Sequence, residues 1–181
     1  FVFTLFCFIA FINAFNLFDG LNCQIGSYTF FILVIFFFSK LNLLILITLF
    51  FPLLIFLILN SRGKIFLGNS GSYFLGFIIA YIFIKSYNNF NSLYSDQIFL
   101  IMLFPGLDMI RLFFRRIKNE KNPFTPDRNH FHHLLLKKYN YNLTFLIIFM
   151  MSIVPYVLGL LINSYIAASL FLLIYFMLMN L

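Results

Sequence analysis

The chain has 181 residues, of which 63% are apolar, 22% aromatic and 9% charged, and its 12 Lys and Arg against 5 Asp and Glu give a formal net charge of +7. Soluble domains carry about 25% charged residues, so this chain has too few charges to cover a water-facing surface, and its apolar content excludes a disordered chain. Of these classes of protein, only a polytopic membrane protein fits the composition.

Seven apolar segments have the length of membrane helices once their polar ends are allowed to reach into the interface. The apolar runs are continuous rather than alternating, and open sheet edges are not tolerated in lipid, so helices are favoured over strands. We therefore expect an all-α transmembrane helix bundle that forms a single domain over 1–181. The predicted segments are 1–15, 25–38, 42–59, 71–85, 97–114, 141–160 and 165–181.

The chain opens on Phe1-Val2-Phe3, without Met, and its first segment is already apolar. We expect it to be the C-terminal part of a longer membrane protein.

Three loops are rich in Gly, Pro, Asn and charge: 16–24, 60–70 and 115–140. If every segment spans once, these loops share one face, together with ten of the 12 basic residues, and only Lys40 and Lys85 lie opposite. The positive-inside rule then places the three loops in the cytoplasm.

The first loop follows an amide-rich helix end. Asn13 and Asn16 are three residues apart and hence neighbours on a helix, and Asp19-Gly20 is a turn signal, followed by Asn22. The pattern fits either a polar cap at the interface or a set of oxygen ligands for a cation or a nucleotide base.

The second loop contains the stretch 66–72, Phe-Leu-Gly-Asn-Ser-Gly-Ser, just before a predicted helix. Two glycines permit close approach of a ligand, and Ser70 and Ser72 add hydroxyl donors next to free helix amides, which suits a phosphate. An ordinary helix start explains the stretch equally well, and the Lys and the spacing of a Walker loop are missing.

The third stretch combines a charged helix face with a basic, histidine-rich loop. Asp108, Arg111 and Arg115 share one face of a helix that leaves the bilayer, and Arg116 makes an Arg pair with Arg115. The loop contains Pro-Asp-Arg-Asn-His-Phe-His-His at 126–133. Its positive field favours a polyanion over a zinc ion held by histidines alone, although a purely topogenic role of the basic residues competes.

Together the three stretches resemble the polyprenyl-phosphate N-acetylhexosamine-1-phosphate transferases, a family of glycosyltransferase family 4 type, and more the GlcNAc branch than the peptidoglycan branch. The resemblance runs through Asn13 to Asn22, Phe66 to Gly76 and Leu107 to Leu135. It implies attack by undecaprenyl phosphate on the β-phosphorus of a UDP-N-acetylhexosamine, with release of UMP. It also implies a multi-pass protein of the bacterial inner membrane. The reaction would serve the synthesis of an envelope polysaccharide or of peptidoglycan. The resemblance further implies dependence on Mg²⁺, with Mn²⁺ as an alternative, no nucleic-acid partner, and a homodimer as one option.

The resemblance also implies roles for individual residues. The expected catalytic residues are Asp19, Arg128, His130, His132 and His133; the expected substrate-binding residues are Asn13, Asn16, Asn22, Phe66, Ser70, Arg115 and Arg116; the expected metal ligands are Asp19 and Asn69.

Several positions depart from the family's pattern. Asn22 and Asn69 stand where aspartates are common, and Cys23 stands where a second Gly is usual. An amide oxygen can ligate Mg²⁺ but brings no charge, so we expect weaker metal binding. The family's adjacent aspartate pair is absent from this chain, and we therefore expect the fragment alone to be inactive. The alternatives are a catalytically degenerate protein of the same fold and a transporter of an anionic lipid or nucleotide.

Overall fold

A computed structural model describes residues 2–39, 43–90, 93–120, 122 and 129–180. Every regular element within these ranges is helical, which confirms the predicted all-α class. The elements are α1 (Val2–Phe18), α2 (Gln24–Phe38), α3 (Leu43–Ser61), α4 (Gly68–Lys85), a π-helical turn (Ser86–Phe90), α5 (Ser95–Lys118), α6 (Phe131–Leu136), α7 (Tyr141–Leu161) and α8 (Ser164–Asn180).

The seven predicted segments are all helical over their described residues, but fewer of them qualify as full membrane spans. By length and composition, three helices of the described chain could cross a membrane: α3, α5 and α7. Helices α1, α2 and α8 are apolar but shorter. The 15 residues of α2 rise only about 22 Å, less than the roughly 30 Å of a hydrocarbon core. Helix α4 has 18 residues but starts with a polar turn. Within the described residues, three of the seven predicted segments meet this criterion, and the number of membrane crossings stays a prediction.

Several helix boundaries also differ from the prediction, and the differences fall on the polar stretches. Helix α1 continues to Phe18, and α4 begins at Gly68 rather than at residue 71. The stretch 66–72 is therefore largely the first turn of a helix and not a loop. Helix α6 lies inside the predicted loop 115–140. Polar residues are accommodated in terminal turns, where backbone groups are still open to other partners, so local composition made these predicted helices too short.

The bundle is built around α1, which packs against both α4 and α5, while α7 packs against α5 and α8. Its interior is aromatic, and the largest buried rings include Phe15, Phe36, Phe104 and Phe171. The Phe104 ring meets those of Phe18 and Phe131 edge to face, with centroids 5.5 and 5.3 Å apart. Such pairs add to the packing attraction that holds apolar helices together in lipid.

One buried hydrogen bond compensates for a proline inside α5. Pro105 has no backbone N–H, so the carbonyl of Ile101, one turn earlier, loses its helical partner. The hydroxyl of Tyr28 in α2 donates to that carbonyl over 2.6 Å, and the Tyr28 side chain is almost completely buried. The contact joins α2 to α5. It gives the Ile101 carbonyl a hydrogen-bond partner that neither lipid nor an apolar protein interior could provide.

Tyr28→Phe is expected to destabilise the protein by about 1–3 kcal/mol, because the Ile101 carbonyl is left buried without a partner. Thermal unfolding of the protein in detergent measures the effect. Tyr165→Phe is the matched control, since the Tyr165 side chain is 84% exposed. Equal melting temperatures for the two variants would contradict the assigned role of the Tyr28 hydroxyl.

Candidate functional site

The connection between α1 and α2 forms a tight corner at one end of the bundle. The N–H of Asp19 donates to the carbonyl of Asn16, and the N–H of Gly20 donates to that of Phe18. Cys23 follows in the left-handed conformation, with φ of 65°. Glycine adopts this conformation without steric cost, so a Gly would fit this position better than Cys.

Asn60, at the end of α3, connects this corner to the next loop. Its side-chain oxygen accepts from the N–H of Cys23 over 2.6 Å, and its side-chain nitrogen donates to the carbonyl of Ile65 over 2.6 Å. The residue is 4% exposed. Sequence reasoning missed Asn60, although a lone amide at the end of an otherwise apolar helix was a usable signal.

The start of α4 is bonded to the end of α1. The hydroxyl of Ser72 donates to the side-chain oxygen of Asn16 over 2.5 Å, and Ser72 is buried. The neighbouring Ser70, predicted to contact substrate, is exposed and does not line the pocket formed by this end of the bundle. The difference follows from the helix starting at Gly68, since residues two apart in a helix do not share a face.

These elements enclose a polar pocket of about 270 Å³. Its walls include the predicted residues Asn16, Asp19, Asn22, Phe66 and Asn69, and the unpredicted Asn60. The Phe66 ring is 73% exposed at the mouth, where it offers a face for stacking. Burial raises the pKa of the Asp19 carboxyl to about 6, and its side chain has no hydrogen-bond or ion-pair partner among the described residues.

The histidine stretch is anchored to the C-terminal half of α5 by Asp108 and Arg111. Asp108 Oδ1 accepts from Arg111 Nη2 over 2.6 Å, and Asp108 Oδ2 lies 3.3 Å from His130 Nδ1 and accepts from the N–H of Phe131 over 3.4 Å. Arg111 also donates to the carbonyl of Asn129 over 2.7 Å. The start of α6 is thus fixed by charge-assisted hydrogen bonds.

The three histidines cluster and reach the α1–α2 corner. The rings of His130 and His132 are stacked with centroids 5.5 Å apart, and His133 lies 4.2 Å from His132. The His132 imidazole lies directly against Gly20, so closely that a Cβ on Gly20 would overlap the ring. Burial, together with the neighbouring imidazoles, lowers the pKa of His132 to about 3, so this ring is neutral at pH 7.

Other predicted residues are not brought into the pocket. Asn13 is exposed, and its side-chain nitrogen donates to the carbonyl of Ile9 in its own helix. Arg115 is exposed on α5, whereas Arg116 is buried. Arg128 lies outside the described residues.

The sequence did not predict a role for Tyr141, at the start of α7. Its hydroxyl donates to the carbonyl of Asn22 over 2.8 Å and supports the α1–α2 corner.

The donor set of the pocket fits Mg²⁺ in kind, because carboxylate and amide oxygens are hard ligands and both Asp19 and Asn69 line the pocket. It is low in charge, since Asp19 is its sole carboxylate among the described residues. Within the described ranges, no group of three His, Cys, Asp or Glu could hold a metal ion.

Comparison with known proteins gives a family match for the sequence that contains the corner. Residues 1–87 match the model of glycosyl transferase family 4, and this range contains the α1–α2 corner, Asn60 and the start of α4. No solved structure matches the chain.

Curated relatives extend the match beyond residue 87. The undecaprenyl-phosphate alpha-N-acetylglucosaminyl 1-phosphate transferase of Escherichia coli K12 is 32% identical over 146 residues, covering 74% of this chain and 40% of the relative. The protein of the same name from Thermotoga maritima is 34% identical over 160 residues, covering 88% of this chain and 51% of the relative. The chain therefore spans about half the length of these relatives or less.

Proposed function

The chain belongs to glycosyl transferase family 4, and from that premise we propose that the full-length protein transfers an N-acetylhexosamine 1-phosphate from a UDP-sugar to undecaprenyl phosphate. A phosphate oxygen of the lipid forms a new bond to the β-phosphorus of the donor. The bond between that phosphorus and the bridging oxygen breaks, and UMP leaves with the bridging oxygen. The product is a lipid diphosphate sugar.

The contact of His132 with Gly20 is the observation that carries this proposal. It brings the basic histidine stretch, separated by more than a hundred residues in sequence, against the pocket that holds Asp19. Phosphoryl transfer requires positioning and charge stabilisation more than covalent chemistry from the protein. A corner whose carboxylate and amides can hold a cation, beside imidazoles that can donate hydrogen bonds, suits both requirements.

The pocket supports binding of the nucleotide end of the donor. The exposed Phe66 ring can stack on uracil, and the amides of Asn16, Asn22 and Asn69 can hydrogen-bond polar groups of a nucleoside. His132 is neutral at pH 7, so its ring can donate one hydrogen bond and accept another, while Arg111 and Asp108 keep the stretch in position.

We propose Mg²⁺ as the metal, held by Asp19 and the side-chain oxygen of Asn69. When bound, it neutralises charge on the diphosphate. The adjacent aspartates that the resemblance implies would supply further carboxylates in the full-length protein, and we expect the present chain alone to be inactive.

The chain is a multi-pass membrane protein, and we propose the bacterial inner membrane with the pocket on the cytoplasmic side. Ten of its 12 Lys and Arg lie in or next to the three polar loops, and the positive-inside rule places such loops in the cytoplasm. That side also supplies the soluble UDP-sugar, and the lipid phosphate reaches the same interface from the bilayer.

A catalytically degenerate protein of the same fold is the second candidate, and one observation favours it. Positions 22 and 69 of the pocket wall are asparagines, whereas the family commonly has aspartate there. The negative charge of the pocket is therefore reduced to that of the Asp19 carboxylate.

Incubation of the purified full-length protein with undecaprenyl phosphate, Mg²⁺ and a panel of UDP-sugars, with UMP as the readout, separates the two candidates. Release of UMP that requires both lipid phosphate and one UDP-N-acetylhexosamine supports the transferase. A folded protein that releases no UMP with any sugar of the panel would contradict it.

Asn60→Leu is expected to weaken UDP-sugar binding about fivefold to tenfold, because the N–H of Cys23 and the carbonyl of Ile65 lose the side chain that joins the two pocket walls. The KM for the UDP-sugar should rise more than kcat falls. Asn163→Leu, outside the pocket, is the control. An unchanged KM in a folded Asn60 variant would refute the role of this amide.

A further inference from the structure

A second cleft lies next to the histidine stretch, on the side of α6 turned towards α8. It has a volume of about 170 Å³. Phe131, Leu134 and Leu135 of α6 form one wall, and Leu178 and Met179 near the end of α8 form the other. The pocket described above shares none of these residues.

The rim of this cleft is basic. Lys137 and Lys138 stand at its mouth, and both side chains are exposed. Neither ammonium group has an ion-pair partner among the described residues. Two positive charges above an apolar cleft match a molecule with an anionic head and a hydrocarbon tail.

The cleft opens beside a surface that suits lipid. Three large apolar side chains of α8 close to it, those of Leu173, Phe176 and Met177, are between 58% and 67% exposed. In a membrane protein such a surface is covered by acyl chains. Tyr139 on the rim is a residue type that is enriched at the level of lipid headgroups.

We propose that this cleft binds an anionic glycerophospholipid of the surrounding leaflet, with the phosphate between Lys137 and Lys138 and an acyl chain between α6 and α8. Juxtamembrane lysines attract anionic lipids. The cleft adds an apolar binding site for the lipid's acyl chain, which a diffuse basic surface lacks. The site lies outside the proposed transfer reaction and does not depend on it.

An occupied cleft would also brace the histidine stretch. The Phe131 ring lines the cleft and stacks on Tyr175 with centroids 5.4 Å apart, while the backbone N–H of Phe131 donates to Asp108. A lipid chain against Phe131 therefore supports the same turn that positions His130 and His132.

The test is native mass spectrometry of the delipidated full-length protein titrated with dioleoyl-phosphatidylglycerol or dioleoyl-phosphatidylcholine. We expect the wild type to retain phosphatidylglycerol in preference to phosphatidylcholine. The Lys137→Gln/Lys138→Gln variant should bind phosphatidylglycerol about tenfold more weakly, from the loss of two headgroup contacts. Phosphatidylcholine binding should not change.

The matched control is Lys64→Gln/Lys118→Gln, which removes two exposed lysines that do not line the cleft. It should bind phosphatidylglycerol like the wild type. Leu134→Trp, which fills the cleft without changing charge, should lose phosphatidylglycerol, and its melting temperature shows whether it is folded. sn-Glycerol 1-phosphate should not displace the lipid.

Three results would overturn the proposal. Equal weakening by both lysine pairs would indicate diffuse attraction to an anionic surface. Equal retention of the two lipids by the wild type would remove the role of the headgroup. Displacement by glycerol phosphate would remove the role of the acyl chain.

Discussion

Gly20→Ala in the full-length protein is expected to lower turnover about 100-fold while leaving the protein folded. A Cβ at this position would overlap the imidazole of His132, so the histidine stretch must move away from the pocket that contains Asp19. Displacements of about 1 Å at such a site cost roughly 10²-fold in rate. The measurement is UMP release at saturating UDP-sugar, with circular dichroism and thermal unfolding as tests of folding.

Gly106→Ala is the matched control, because a Cβ at Gly106 meets no atom within 4 Å and the residue lies inside α5. It should retain normal turnover. A double-mutant cycle with His132→Ala makes the test sharper. His132→Ala alone should lower turnover, and adding Gly20→Ala should then cost little, since the clashing ring is gone. An undiminished cost of Gly20→Ala in the His132→Ala background would show that the two residues act independently.

Asn69→Asp is expected to lower the Mg²⁺ concentration needed for half-maximal UMP release about tenfold. The pocket has the single carboxylate of Asp19, and a second carboxylate in its wall would contribute about 1.4 kcal/mol or more to binding of a divalent cation. A Mg²⁺ titration of the full-length enzyme measures the change, and the maximal rate should rise or stay constant.

Ser70→Asp adds the same charge one residue further along α4, at an exposed position that does not line the pocket. It should leave the Mg²⁺ dependence unchanged. Identical Mg²⁺ curves for the wild type and Asn69→Asp would place the metal elsewhere. Absence of activity in the wild type, Asn69→Asp and Ser70→Asp proteins would favour the degenerate protein of the same fold.

Helix phase explains why two neighbouring amides of α1 have different environments. Phe11, Ala14, Phe15 and Phe18 form the buried face of this helix. Asn13 lies on the opposite side, where it bonds its own backbone, whereas Asn16 lies at the helix end within reach of Ser72. The spacing of three residues predicted neighbours, but it could not predict which of them faces the pocket.

The anchoring of the histidine stretch was only partly predictable. The sequence placed Asp108 and Arg111 on one helix face, and the structure adds that both bind the backbone at the start of α6. Arg115, one turn further on the same face, is exposed. A charged face is a local property of one helix, whereas its partners come from a segment about twenty residues away.

The class of the protein follows from its amino-acid sequence, because continuous apolar runs with few charges can satisfy their backbone groups in lipid only as helices. The same sequence also located the polar stretches, since amides, glycines and basic residues are costly in the membrane interior. The tertiary structure alone decided that Asn60 joins two pocket walls, that Ser72 rather than Ser70 bonds α1, and that His132 lies against Gly20. These contacts join residues far apart in the chain, and they depend on the exact rotation and start of each helix, which local patterns leave open.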